Sequence, residues 1–523
     1  FKYDRLGRMI SDETPFDKKK HSITKLYYDG AGNLVRIVDP EGYTTKQYFT
    51  KRNFLHAVEK RSGYDESFIT KVQYDGEGNT TKISKGLSSW TDSVYTSTSY
   101  KYDELNRPIL STDEKGRKTH YEYDNNGNLI KTLNRNNVLT TYSYDGLNRM
   151  IQKENSKDGE KNAIEILYDK LGNPKEISDE SGTAAFKYDE LNRLISEDYG
   201  NGIKKTYSYD KSDRIKRINV NQGSVEELSL KYTYDKVGRL TQVNDNGKKF
   251  SYIYDDIGRI KEERNGVTGI KTKYSYYQSG AIKSLIHYDG KEIIDSYEYQ
   301  YDLRGNQIQK NENNSITKYY YDPLSRLKTV LLPDDGVLDY QYDDLSNIEK
   351  LIEIKGNKIS ETTYRYDIGS RLLLKETKER GKKTQQRFTY DPEGNMLSKE
   401  EVFQQDGNIT SSSIYNFKYN GYNQLKQTQD PYGRFIDYTY NSNGLRTKKD
   451  YGDKAINYYY DRGNIILETD ENSSITAKNI RGRRLIYRET TSDIFHYLHN
   501  SHGDVTKLVN EQGEIIKDYT YDP

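Results

Sequence analysis

Three imidazoles and a carboxylate crowd into His496-Tyr-Leu-His499-Asn-Ser-His502-Gly-Asp504, and residues of those types can hold zinc. The run reads as a strand followed by a turn, however. In that geometry an i, i+3, i+6 spacing does not bring three rings to one face, so a structural role is expected. Asp-x-x-Gly-Asn segments recur throughout and present oxygens to a calcium ion. None supplies the six or more ligands of a calcium loop, nor the spacing of calcium-binding nonapeptides. Gly30-Ala-Gly32 and Gly76-Glu-Gly78 echo a phosphate loop but lack the third glycine and the helix after it. Lys18-Lys-Lys20 and Arg481-Gly-Arg-Arg484 are short basic runs that read as solvated edges. Carboxylates are frequent, yet no acid/base pair and no Ser-His-Asp arrangement can be singled out. With no cysteine in the chain there is no disulfide, thiolate nucleophile or thiolate metal cluster. The expectation is therefore no catalytic residue, no cofactor and no metal. Tyrosine remains: stacked phenols bind sugars or hold an unfolded peptide, or else they pack across strands as the core of a wall.

What positions the tyrosines is a repeat. Tyr121-Glu-Tyr-Asp-Asn-Asn-Gly-Asn-Leu129 matches Tyr142-Ser-Tyr-Asp-Gly-Leu-Asn-Arg-Met150. The frame returns at Tyr207–Ile215, Tyr232–Leu240, Tyr252–Ile260 and Tyr364–Leu372. The pattern is Tyr-x-Tyr-Asp-x-x-(Gly/Asn)-(Asn/Arg)-Leu, with a period of roughly 20–28 residues. Degenerate copies stand at Tyr48, Tyr276, Tyr419 and Tyr440. In Tyr-x-Tyr both rings point to one face of a strand. The following Asp bonds its own downstream backbone, and Gly or Asn accepts positive φ. A second strand, such as Leu129–Leu133, ends in a second polar turn such as Asp113-Glu-Lys-Gly116. About 22 such hairpins give about 44 strands, and at ~4.8 Å per strand a ribbon roughly 200 Å long. Sheets of that size curl, because strand twist accumulates. The fold class expected is all-β: tandem hairpins in one long antiparallel sheet that spirals into a hollow shell or barrel.

Composition agrees. Tyrosine occurs 52 times, and 81 basic residues nearly cancel 80 acidic ones, leaving a net charge of +1. So even a balance gives no chain-wide attraction to nucleic acid or anionic membrane. The mean hydropathy of −1.04 borders on that of disordered chains, but low net charge and many aromatics oppose disorder. The core expected is lined with phenols rather than aliphatics. No stretch approaches the roughly 20 apolar residues of a membrane helix.

The Tyr-Asp-x-x-Gly-Asn/Arg-Leu frame resembles the RHS/YD-repeat family over nearly the whole chain. Relatives include bacterial polymorphic toxins, wall-associated proteins of Gram-positive bacteria, cocoon-forming subunits of insecticidal toxin complexes, and teneurins. The resemblance implies a β-strip wound into a shell. In bacterial members the shell encloses a C-terminal toxin, released by an aspartyl self-protease in the segment that closes it. Arg481–Leu485, Tyr497–Val505 and Tyr519–Pro523 look like the family's last repeats. The Asp-Pro-x-Gly-x-x-Gly cleavage motif expected next is not reached. Asp39-Pro-Glu-Gly42 and Asp391-Pro-Glu-Gly394 match only its first half, with Thr45 and Leu397 in place of the second glycine, so they read as turns.

These readings divide the chain into a YD-repeat strip, 1–480, and terminal repeats, 481–523, with both ends looking cut from a longer protein. The function expected is a non-enzymatic wall around a toxin domain carried in cis, in a secreted or cell-surface bacterial protein. The alternative is an adhesion or carbohydrate-binding module whose partners are cell-wall or surface glycans. No nucleic-acid partner and no membrane span are expected.

Overall fold

The computed structural model describes residues 1–17, 20–61, 67–88 and 96–521. Lys18 and Lys19 of the first basic run, and Asp522 and Pro523 of the last repeat, lie outside them. Among the described residues there is no helix, and none that is long and apolar enough to cross a membrane. All 47 strands among the described residues belong to one sheet, three more than the repeat count implies. Each pairs antiparallel with its neighbour in the chain, from Lys2–Tyr3 against Met9–Pro15 to Val505–Val509 against Ile515–Asp518. The first and last strands do not pair with each other, so the sheet winds as a spiral instead of closing as a barrel.

Two kinds of turn join the strands, and the Tyr-Asp kind lines one rim of the ribbon. The Tyr-Asp turn is a clasp. In Asp145-Gly-Leu-Asn148-Arg149, Oδ1 of Asp145 accepts the amides of Leu147 and Arg149 at 2.9 and 3.0 Å, and Oδ2 accepts Nε of Arg149 at 2.7 Å. Asn148 takes φ 60°, the left-handed conformation that Asn tolerates. Degenerate copies keep the geometry with other acceptors: Thr50 takes the amide of Phe54, and Asn420 those of Tyr422 and Gln424. The ladder register slips by one residue as it enters this turn, for instance between Ser143 and Tyr144. A bulge adds local twist. Repeated on one rim, it curls the ribbon in a constant sense. The opposite rim carries some clasps of the same design, as at Asp113, and many two-residue turns such as Asn246-Gly247, with φ 47° and 99°.

Tyrosine ties repeat to repeat. The hydroxyl of Tyr144 donates to the carbonyl of Leu129 at 2.9 Å, and that of Tyr168 to Met150 at 2.8 Å. The same bond recurs at Tyr188, Tyr209, Tyr234 and Tyr254. Where the clasp ends in arginine, its guanidinium stacks on the next repeat's ring, as Arg149 does over Tyr168 at 4.5 Å. Where it ends in asparagine, the amide reaches the next turn instead: Asn128 Nδ2 donates to Asn148 Oδ1 at 2.9 Å.

The core differs from the phenol-lined one expected. Most Tyr-Asp rings are half-buried, because each hydroxyl must keep its carbonyl. The fully buried set is mainly aliphatic, including Ile203, Val220, Leu228, Leu230, Val243, Leu467 and Ile480, with Tyr297, Tyr299 and Tyr487 among them. The largest cluster joins residues 203–252 to residues 459–487. It lies between successive coils of the spiral, not within one coil.

Candidate functional site

The seam where one coil meets the next is the most specific feature of the molecule. Tyr-Asp turns of the second coil seat on the opposite rim of the first. Leu303 N–H donates to Glu41 Oε1 at 3.1 Å, and the Ser22 hydroxyl to the Leu303 carbonyl at 2.9 Å. Lys115 Nζ meets Asp367 Oδ2 at 2.8 Å, and Arg135 N–H donates to Glu393 Oε1 at 2.6 Å. The Tyr422 hydroxyl donates to the Lys153 carbonyl at 3.0 Å, and Ser442 N–H to Asp179 Oδ2 at 2.6 Å. Burial alone would raise the Asp367 carboxyl, but hydrogen bonds from Lys115 and Arg371 bring it down to about 2.

As far as Gln222, seam partners joined by side-chain hydrogen bonds are 251 to 281 residues apart. The separation then falls to 242 at Asp245–Tyr487, 231 at Asn265–His496, 212 at His287–His499 and 202 at Tyr299–Ser501. At ~4.8 Å per strand, about 24 strands per coil shrink to about 18, a circumference falling from roughly 115 to roughly 85 Å. The spiral narrows toward the C-terminus, and aliphatic packing concentrates where it narrows.

At the narrow end the structure scatters the histidine run. His496 packs between Phe250 and Tyr487, its ring centroid 6.1 and 5.2 Å from theirs. Its Nδ1 accepts Asn265 Nδ2 at 2.9 Å, and its Nε2 is buried without a partner. The His499 carbonyl accepts Nε2 of His287 at 3.1 Å, while Nδ1 of His287 takes the Thr272 hydroxyl at 2.8 Å. His502 lies beside the Tyr299 ring, and Asp504 accepts Asn500. Among the described residues no three His, Cys, Asp or Glu converge as metal ligands. Burial lowers His287, His496 and His499 to about 4 each. His287, near the start of the second coil, is a seam residue that no local motif marks.

The Arg481–Arg484 run is no solvated edge. It forms the turn that docks: Arg483 N–H donates to the Tyr252 hydroxyl at 3.2 Å, and Arg484 reaches the Asn500 carbonyl at 3.2 Å. The strand Ile475–Arg481 spans position 480, with a register shift between Ile480 and Arg481. Gly32 and Gly78, from the two phosphate-loop echoes, have φ 90° and 97° in clasps.

A cavity of about 560 Å³ opens on the seam between residues 177–207 and 439–462. Tyr199, Tyr207 and Tyr460 wall it, with Asn201, Asn441 and Asn457 among its polar groups. In its lining the buried Lys205 pairs with Glu197 of its own coil at 2.6 Å and donates across the seam to the Tyr460 carbonyl at 2.5 Å.

A one-sheet spiral of Tyr-Asp hairpins, coil seated on coil, defines a YD-repeat shell. The Teneurin YD-shell family matches residues 1–200. The tRNA3(Ser)-specific nuclease WapA of Bacillus spizizenii is 28% identical over 324 residues, covering 61% of this chain and 13% of WapA. The probable deoxyribonuclease RhsB of Dickeya dadantii is 23% identical over 304 residues, covering 54% of this chain and 19% of RhsB. The crystal structure of TcdB2-TccC3-TEV superposes with a TM-score of 0.66 at 14% identity, over 100% of this chain and 32% of that one. These likenesses all point to RHS/YD-repeat proteins as what the chain is similar to. It spans less than a fifth of the length of the curated relatives named here.

Proposed function

We propose that this chain is a stretch of wall in an encapsulating shell, a scaffold without an active site of its own, enclosing a toxin domain carried in cis on the same protein. The supporting observation is the seam. Backbone pairing is continuous along the ribbon, and successive coils are joined by hydrogen bonds, ion pairs and aliphatic burial, so the wall leaves open strand edges only at its two ends. Such a wall confines a cargo and resists proteolysis, since cleavage requires local opening of a paired ladder. We place any nuclease activity of the kind its relatives are named for outside this strip. Residues 481–523 form the last hairpins before the closing segment. The protein is secreted or displayed on the bacterial surface. The test is limited proteolysis of the full parent protein: the C-terminal domain should resist protease until the wall is cut, and a domain digested freely in the intact protein overturns the reading.

The seam cavity favours a second reading, carbohydrate binding. Tyrosine faces and side-chain amides suit a neutral sugar, and the lining carries both acids and bases. A glycan array with Tyr207→Ala as control separates the two, since the scaffold reading expects no ligand.

A further inference from the structure

Where a Tyr-Asp turn ends in arginine, the clasp neutralises it: Arg149, Arg193 and Arg214 each pair with the aspartate four residues earlier at 2.6–2.7 Å. Two turns of the second coil break that rule. Tyr460-Asp-Arg-Gly-Asn464 is one residue short of the repeat, so its strands close on the two-residue turn Arg462-Gly463. The Asp461 carboxylate, freed from clasping, accepts the Tyr207 hydroxyl at 2.8 Å. The docking turn Arg481-Gly-Arg-Arg484 has no aspartate at all. Arg462, Arg481 and Arg483 all line one seam pocket of about 240 Å³. Among the described residues none of these three guanidiniums has a hydrogen bond or an ion pair, and Nε of Arg481 is buried without an acceptor. The almost fully buried Ile218, Leu230 and Ile466 floor the pocket, and so apolar a floor strengthens charge interactions above it. Arg462 also stands at φ 47°. Every other non-glycine residue at positive φ among the described residues is Asn, Asp or Ser, including Asn246 at the same φ in its own two-residue turn. An arginine there is strained where asparagine would serve, and strain of this kind persists at functional sites.

We propose that this pocket binds a phosphate group, free or as a small phosphomonoester, which bridges the two turns and clamps the second coil on the first. Guanidinium forks bond phosphate oxygens in pairs. Three guanidiniums less the Asp461 carboxylate leave a net charge of about +2, which a phosphate near its dianion matches and a single carboxylate half matches. Asp461 is itself engaged by Tyr207 and lies 4.0 Å from Lys205. Glu263, the other carboxyl near Arg483, is pushed up by burial and drawn more to Arg484 than to Arg483. The volume is below the roughly 300 Å³ of a site for drug-sized molecules, so the ligand is small. The arginines come from the second coil and the walls Tyr232 and Tyr234 from the first, so a filled pocket ties three segments together.

Calorimetric titration of the protein with inorganic phosphate, glycerol phosphate and acetate, at one ionic strength, tests the site. Inorganic phosphate should bind, and acetate at least about tenfold more weakly. Glycerol phosphate binding as well leaves one side of the phosphate open to solvent, whereas binding of the free ion alone encloses it; both uphold the site. Arg462→Asn installs the residue that the turn prefers. It should hold or raise the melting temperature without ligand while weakening phosphate about tenfold. Arg483→Gln, at an exposed side chain, should weaken phosphate likewise with the fold intact. Trypsin cleavage after Arg483 should slow about tenfold at a phosphate concentration about ten times its Kd, and this protection should be lost in Arg462→Asn at the same concentration, which separates it from the general stabilising effect of phosphate salts. The proposal is overturned by an absence of binding, by acetate binding as tightly, by unchanged phosphate affinity in either variant, or by cleavage indifferent to phosphate.

Discussion

Acid should loosen the narrow end of the spiral before the rest. His287, His496 and His499 are held neutral by burial, each near 4 against an ordinary 6.5. A group with a depressed folded value stabilises the fold at pH above its unfolded value, and that stability is lost as pH falls from about 6.5 toward 4. At pH 5 each histidine costs about 2 kcal/mol, from 1.36 kcal/mol per pH unit over most of that interval. Three together reach about 6 kcal/mol as a ceiling, comparable with the whole stability of many domains. The sum is reduced by coupling between His287 and His499, which face one another across the seam. It is further offset by Glu263 and Asp245, whose burial-raised carboxyls take up protons more readily folded than unfolded. The surroundings offer the new cations little help. Lys507 and Arg484 face His287, Arg484 and Arg481 face His499 with only Asp504 opposing, and Lys248 faces His496. Protonating Nδ1 of His496 also sets two donors against each other at Asn265. Amide exchange is the assay: between pH 7 and 5, after correction for intrinsic rates, protection should fall in Ile494–His499 and Ile282–Asp289 but hold in Leu129–Leu133. His496→Phe keeps the ring packing and should remove about a third of the loss, its share of three similar shifts. Uniform protection over that range, or loss spread evenly along the ribbon, refutes the reasoning.

The clasp and the seam give further expectations. Asp145→Ala leaves the Leu147 and Arg149 amides and the Arg149 guanidinium without their acceptor, and should lower the denaturant midpoint. Tyr209→Phe removes only the hydroxyl that donates to the Leu194 carbonyl, so the loss should be about 1 kcal/mol with the ring packing kept. Gly482→Val drives a side chain into the Tyr252 hydroxyl and Val243. It should separate the coils there, read as faster proteolysis near Arg483, whereas Gly7→Ala at an open turn should leave the seam intact.

Local chemistry determined much of this molecule from the sequence alone. Period-two alternation, the Asp clasp and the left-handed position of each turn are short-range, so Tyr142–Arg149 announces its hairpin without help from elsewhere. One sheet with only consecutive pairing follows from repeating that unit. What the sequence leaves open is which groups meet 202 to 281 residues apart. No spacing marks His287 as the partner of His499, or Lys205 as a tie to Tyr460. The Arg481–Arg484 run looks solvated until its turn docks on Tyr252. The phenol-lined core fails for the same reason: tyrosine has to keep its hydroxyl bonded within the ribbon, so full burial passes to aliphatic residues where two coils press together. That contact depends on curvature summed over some two dozen strands, and a small change in twist per strand would bring different residues into register. Only the assembled spiral decides it.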